Sequence, residues 1–291
     1  MRTPRSAFTL TELFVVIACV AVLLSLALPA LQRVRESGNR VLCTANLRQI
    51  GLALKLYHQD KGQFPPALTG WDTPQPFLSW QARLLPYLSE QSLWMQVDAA
   101  FKANPMFWTP PHQAIAGRAL PVYLCPSDDR LTTDADYAPD QTYAFTFYQG
   151  VAGRRHGTGM LYQDSRVRLG DVKDGLSQTL FVGERPPSST GRYGWWYAGI
   201  GQAYDGSLDS HLLTEQRNYS PYAPHCPRGP YSFQPGHPRD MCSSFHFWSR
   251  HPGGAHFLFV DGHVQFLRYS ARDVLPELST RAGGEPVSVP D

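Results

Sequence analysis

Charge is scarce in this chain. Of 291 residues, 17% are Asp, Glu, Lys or Arg, against roughly 25% in an average soluble domain. The 26 basic side chains nearly cancel the 24 acidic ones, leaving +2. A field of one sign is missing, so no nucleic acid partner is expected. Catalytic signatures are missing too. There is no Gly-x-Ser-x-Gly elbow, no Walker loop and no His-Glu-x-x-His pair, so no enzyme activity is expected. No Cys-x-x-Cys pair occurs among the five cysteines, which argues against a zinc knuckle. Internal repeats and low-complexity segments are absent. Gly and Pro together make 49 residues, loop-rich but below the roughly 25–30% that suggests disorder. Only one long apolar run exists, which excludes a multi-pass membrane protein. Aromatic residues, at 12%, are plentiful enough to fill a core.

That run is the most informative stretch. From Leu13 to Leu31 there is no charge. Its nineteen residues, at about 1.5 Å each, reach ~28 Å, enough to cross a ~30 Å hydrocarbon layer. A secretory signal and a plain signal anchor are the ordinary readings. Arg33, Arg35 and Arg40 follow the run as closely as Arg2 and Arg5 precede it, so the positive-inside count gives little orientation. Neither reading accounts for Glu12 at the edge of the apolar segment, where a carboxylate is costly without a partner.

Ala7-Phe8-Thr9-Leu10-Thr11-Glu12 resembles the processing site of type IV prepilins and type II secretion pseudopilins. The resemblance implies that a prepilin peptidase cuts between Ala7 and Phe8 and methylates the new amine. Glu12 then stands fifth in the mature chain, where the family's glutamate meets the free amine of a neighbouring subunit. Pro29 stands where pilins often carry a helix-kinking proline. Ala7 departs from the Gly usual before the cut. Residues 1–7 are thus expected as a leader and 8–31 as a transmembrane and assembly helix.

The helix is expected to continue. Cys43, Leu47, Ile50, Leu54 and Tyr57 recur at three- and four-residue steps, while Arg48, Gln49 and Lys55 fall off the stripe. Gly38 is expected to interrupt the helix, and Gly62 with Pro65-Pro66 to end it. An amphipathic segment over 32–60 then enters an α+β domain over 61–291. A second helix is expected over Trp80–Phe101, divided by Pro86. Tyr143–Tyr148, Thr179–Val182 and Trp195–Ala198 read as strands. Near the C-terminus, Asp261-Gly262 sits between alternating apolar runs, a hairpin signal. A two-residue turn would pair Phe259 with Val264 and Phe257 with Phe266 on the core face. Leu258, Val260, His263 and Gln265 would lie on the other face.

His251, nine residues, then Asp261-Gly262 resembles the C-terminal signature of a large prepilin-like family of unknown function. Cys43 with Asn46–Ala53, Leu84–Leu88, Leu124–Asp128, Asp174–Thr179 and His251–Ala255 fit the same family. Asn46, where the family often has paired Asn, and His263, where Ser is usual, depart from it. The resemblance implies a pilin-like fold, with a long N-terminal helix packed on an antiparallel sheet. It implies membrane insertion from the cytoplasmic side, a periplasmic domain, and prepilin peptidase and other pilin-like subunits as partners. No enzymatic activity is implied.

Other residues are weighed on their chemistry. His246, His251, His256 and His263 are close in sequence, but zinc needs three or four convergent ligands. His251 is expected to order the Pro252-Gly253-Gly254 turn and the others to be exposed, with no metal bound and no cofactor. Asp171, Asp174 and Glu184 carry calcium-type oxygens without EF-hand spacing, and turn chemistry suffices for them. Tyr193, Trp195, Trp196 and Tyr197 are expected in the core. Cys19 lies in the apolar run, leaving four cysteines. The preferred pairing is Cys43–Cys125 with Cys226–Cys242, free thiols and other connectivities being the alternatives. Closing the Cys226–Cys242 loop is worth about 3 kcal/mol on the chain-entropy model.

Overall fold

The structure is a computed structural model that describes residues 10–135 and 138–284. The expected cleavage site, Ala7 and Phe8, lies outside the described residues. The chain divides into two compact units, residues 1–41 and 42–291. Helix α1, Leu10–Lys61, is continuous over 52 residues and contains Pro29. Neither Pro29 nor Gly38 breaks it, contrary to the expected interruption at Gly38. Gly38 has no neighbour within 4 Å of where a Cβ would stand, so its cost is only the ~1 kcal/mol of backbone freedom. In the first unit the apolar side chains from Leu10 to Val34 are exposed. This helix is long and apolar enough to span a membrane.

In the second unit the helix stripe is buried as its spacing predicts. Cys43, Leu47, Ile50 and Leu54 are fully covered, whereas Arg48, Gln49 and Lys55 are exposed. Gly62 ends the helix with φ +72°, its N–H donating to His58 O at 2.8 Å, the usual left-handed glycine stop. Beyond it come α2 (Trp80–Arg83), a 3-10 turn holding Pro86 (Leu85–Leu88), and α3 (Gln91–Ala103). The proline thus divides the expected helix. A further turn of helix, α4, is Gln113–Ala116.

A two-stranded ribbon, β1 (Thr132–Ala135) with β2 (Ala138–Ala144), stands apart from the main sheet. The main sheet has β3 (Tyr148–Gly153), β4 (Leu180–Glu184), β5 (His211–Leu213), β6 (Gly254–Phe259) and β7 (Val264–Arg268). Their order is β5-β3-β4-β6-β7, antiparallel except for β5, which runs parallel to β3. The class is α+β. Trp195–Ala198 is no strand; it holds only isolated bridges from Phe145 to Trp195 and from Leu78 to Ala198.

The sheet separates two cores. Val182, Leu258 and Val260 join Leu47, Ile50, Trp80 and Tyr148 on the side of α1. Leu180, Phe257, Phe259 and Leu267 join Phe233, Phe245 and Leu275 on the other. Every residue of β3, β4 and β6 is therefore buried, as in a sheet covered on both faces.

The hairpin register differs from expectation by one residue. Leu258 pairs with Val264, Phe257 with Gln265 and His256 with Phe266. The loop is Val260-Asp261-Gly262, closed by Phe259 N–H to His263 O at 3.0 Å and Gly262 N–H to Phe259 O at 2.9 Å. Gly262 has φ +94°, the left-handed residue that a three-residue hairpin loop takes. Leu258 and Val260 consequently share a buried face with His256.

Glycines at close approaches should dominate backbone sensitivity. A Cβ on Gly254 would press on the Leu267 carbonyl of β7, while one on Gly170 would meet nothing within 4 Å. Gly254→Ala is expected to cost about 2–3 kcal/mol by overpacking, and Gly170→Ala less than about 0.5 kcal/mol. Urea unfolding of the two variants checks this.

Candidate functional site

Where α1 meets the main sheet, four chemically active side chains converge. Cys43 comes from α1, Cys125 from the loop after the 3-10 turn Pro121–Tyr123, Glu184 from the end of β4, and His251 from the turn before β6. Their ligand atoms all lie within 4.8 Å of one another, and all four residues are buried. The Cys43 and Cys125 sulfurs are 3.1 Å apart. Cys125 Sγ is 3.7 Å from His251 Nε2, which is 3.4 Å from Glu184 Oε1.

Glu184 is hydrogen-bonded on one side. Its Oε2 accepts from the His256 backbone N–H at 2.6 Å and lies 3.1 Å from His256 Nδ1. Its Oε1 faces the cysteines and stands at ion-pair distance, 3.4 Å, from His251 Nε2, with no hydrogen bond among the described residues. Around the rim, Asn46 Nδ2 donates to Leu124 O at 3.0 Å and reaches the Tyr148 hydroxyl at 3.4 Å.

Burial and mutual contact set the charges here. Burial opposes ionisation of Glu184, but the facing His251 and His256 outweigh it and hold the carboxyl at about 2. Burial likewise opposes a charge on His251. Its contacts with Cys125 and Glu184 prevail and push the imidazole up to about 11. Contact with Cys43, aided by His251, lowers the Cys125 thiol to about 6. The same contact, with burial, pushes Cys43 up. A thiolate, a carboxylate and an imidazolium thus face one another out of water, an arrangement that needs close pairing to persist.

The expected pairing of cysteines is half realised. Cys226 and Cys242 form a disulfide across the Pro/Gly-rich loop. Cys43 and Cys125 do meet, clamping α1 to the domain, but as free thiols. At 3.1 Å they stand well beyond a ~2.05 Å disulfide bond.

The histidines also depart from expectation. His246, His251 and His256 are buried; only His263 is partly open, stacked on Phe259 at 4.2 Å. The backbone N–H of His251 donates to the Ser249 hydroxyl at 2.9 Å. The nine-residue spacing to Asp261 is strand β6 with the turn residues that flank it. One end of that strand carries His251 into the buried cluster. The other end carries Asp261, whose Oδ1 accepts from His263 N–H at 3.0 Å and whose carbonyl accepts from Lys55 Nζ on α1. His251 and Asp261-Gly262 are therefore two separate anchors of β6 to α1.

Asp171, Asp174 and Glu184 serve three different places. Asp171 accepts from Arg168 N–H at 2.7 Å, and Asp174 from the Gly283 and Gly284 N–H groups at 2.7 and 2.9 Å. Glu12 lies near the start of the described part of α1.

A second feature is an aromatic cleft of about 490 Å³. Trp71, Trp108, Trp195, Tyr204 and Tyr222 line it with Arg192. The Arg192 guanidinium lies 3.7 Å from the Tyr222 ring centre. Trp71, Tyr204 and Tyr222 are more than half exposed. Tyr193, Trp195, Trp196 and Tyr197 are buried, as expected of core residues.

Acid sensitivity follows from two other histidines. Burial pushes both His246 and His211 down to about 4 from 6.5. Between pH 6.5 and 4 the unfolded chain binds protons at these sites that the folded chain does not. Stability is present above 6.5 and is lost as pH falls through that window. His246 alone should remove about 2 kcal/mol between pH 7 and pH 5. Urea titrations at the two pH values should show wild type losing more than His246→Gln.

No curated protein and no solved structure matches the chain. A family model does, over residues 32–273. That span holds the cluster, both cysteine pairs and all of β6, and the chain belongs to the family described as protein of unknown function (DUF1559).

Proposed function

We propose that this chain is a prepilin-like, membrane-anchored structural subunit. Prepilin peptidase removes residues 1–7 at Ala7/Phe8, and the subunit joins a type IV pilus-like or type II secretion pseudopilus-like filament with other pilin-like subunits. The anchor sits in the cytoplasmic (inner) membrane as a single pass, with the domain in the periplasm. The role is structural rather than catalytic.

The observation that carries the reading is α1. Its apolar window is exposed along its whole length, and it begins with a carboxylate at Glu12. Lipid or a bundle of like helices satisfies the apolar surface equally well. In the bundle the Phe8 amine of a neighbour reaches Glu12. The Cys226–Cys242 disulfide fits an oxidising compartment.

A second reading is a tethered module that never polymerises and presents the domain to a polysaccharide or protein. The cleft at Trp71, Tyr204 and Tyr222 favours it, since aromatic clefts with a few polar groups suit such ligands.

Two measurements separate these. Intact-mass and N-terminal peptide analysis of protein from its own membranes should find N-methyl-Phe8, and the chain should appear in sheared filaments. A chain that keeps Met1 and stays in the membrane fraction overturns the filament reading. Glu12→Ala should leave processing and membrane insertion in place and remove the chain from the sheared fraction. Under the second reading, Glu12→Ala changes nothing and Trp71→Ala lowers glycan or protein retention about ten-fold.

A further inference from the structure

We propose that Cys43, Cys125, Glu184 and His251 bind one Zn²⁺ as a closed structural centre, fastening helix α1 to the sheet. The inference is independent of filament assembly.

The donor set comes first. Two sulfurs, one imidazole nitrogen and one carboxylate oxygen are the ligands that zinc takes, and four protein ligands with no open position mark a structural site. Soft thiolates disfavour magnesium and calcium, which prefer oxygen.

Spacing comes second. Bond lengths of about 2.0–2.3 Å at a tetrahedral ion place its ligand atoms roughly 3.3–3.8 Å apart. Cys43 to Cys125 is 3.1 Å, Cys125 to His251 Nε2 is 3.7 Å, and His251 Nε2 to Glu184 Oε1 is 3.4 Å. Two of these separations match a zinc tetrahedron, the two sulfurs stand slightly closer than it needs, and all four ligand atoms lie within 4.8 Å of one another.

The third observation is Glu184 itself. It is 2% exposed, and Oε1, aimed into the cluster, meets His251 Nε2 at 3.4 Å without a hydrogen bond among the described residues. A cation at the centre would give this buried oxygen a direct partner. Oε2 is meanwhile fixed by both His256 contacts, which aims Oε1 as a one-oxygen ligand. Asn46 Nδ2 reaches the Tyr148 hydroxyl at 3.4 Å beside the cluster. Outer donors of this kind orient and tune metal ligands.

The site also explains how two thiols stay reduced in a chain that carries a disulfide elsewhere. Zinc holds both sulfurs as thiolates and blocks their oxidation to one another. The other group of potential ligands among the described residues, His225 with Cys226 and Cys242, has its sulfurs locked in the disulfide.

The test uses the full chain, extracted in detergent without chelators. Metal analysis by inductively coupled plasma mass spectrometry should give one zinc per chain. Alkylation mapping should find Cys43 and Cys125 reduced, reacting only after denaturation with chelator, and Cys226–Cys242 still bonded. Replacing zinc by Co²⁺ should produce thiolate-to-cobalt charge-transfer absorption. His256→Gln, which removes the ring contact to Glu184 Oε2 along with ring packing on His251 and Phe266, should keep the stoichiometry and weaken zinc about ten-fold. The idea fails if native peptides contain a Cys43–Cys125 disulfide, or if no metal is retained after zinc loading. It fails equally if a folded Cys43→Ser, Cys125→Ser double variant keeps its zinc. Should that variant not fold, the cobalt spectrum of the wild-type chain decides: no thiolate band, no site.

Discussion

Leu258 packs into the notch that Gly51 leaves on helix α1, where its δ carbons come within 2.9 Å of where a Cβ would stand. This contact between helix and strand β6 is the constraint on which the domain depends. It seats Leu47, Ile50 and Leu54 on the sheet face that carries Val182, Leu258 and Val260. Burial of that apolar surface is the main favourable term. With the helix seated, Cys43 lies at one end of the contact and Lys55 at the other. Cys43 then meets Cys125 and the Glu184–His251 pair, and Lys55 meets the Asp261 carbonyl. Polar groups thus bracket an apolar seam and define its register.

The two faces of β6 divide the labour. His256, Leu258 and Val260 look toward α1, while Phe257 and Phe259 fill the core beneath. A single-residue slip would exchange them. The three-residue loop at Val260–Gly262, with its left-handed glycine, excludes that slip. His256 thereby stays on the side of Glu184, and the carboxylate keeps its two fixed contacts. Turn geometry at one end of the strand so controls the polar cluster near the other end.

The apolar helix segment and the chemistry of the domain are separable in this chain. The apolar window of α1 begins at the N-terminal end of the first unit, whereas every residue of the buried cluster belongs to the second. A structural centre is useful in such a domain. Its loops are long and rich in Gly and Pro, and its main sheet among the described residues has five strands. Fastening segments far apart in sequence limits the freedom of the unfolded chain, in the manner of a disulfide.

The sequence by itself determined what depends on local periodicity and chemistry. The long N-terminal helix, the buried stripe from Cys43 to Leu54, the break at Pro86 and the hairpin at Asp261-Gly262 were legible, though not the helix's continuity through Gly38. The Cys226–Cys242 bridge was legible because a short loop separates its ends. The tertiary structure alone decided the hairpin register, since two- and three-residue turns share the same Asp-Gly signal. It decided that Trp195–Ala198 pairs only through single bridges. It also decided the fate of Cys43 and Cys125, and with them Glu184 and His251. Cys43 and Cys125 are 82 residues apart, and Cys125 and His251 a further 126. No local pattern encodes that convergence. It follows from two cores folding on opposite faces of one sheet, which brings helix, strand end and turn to a single buried point.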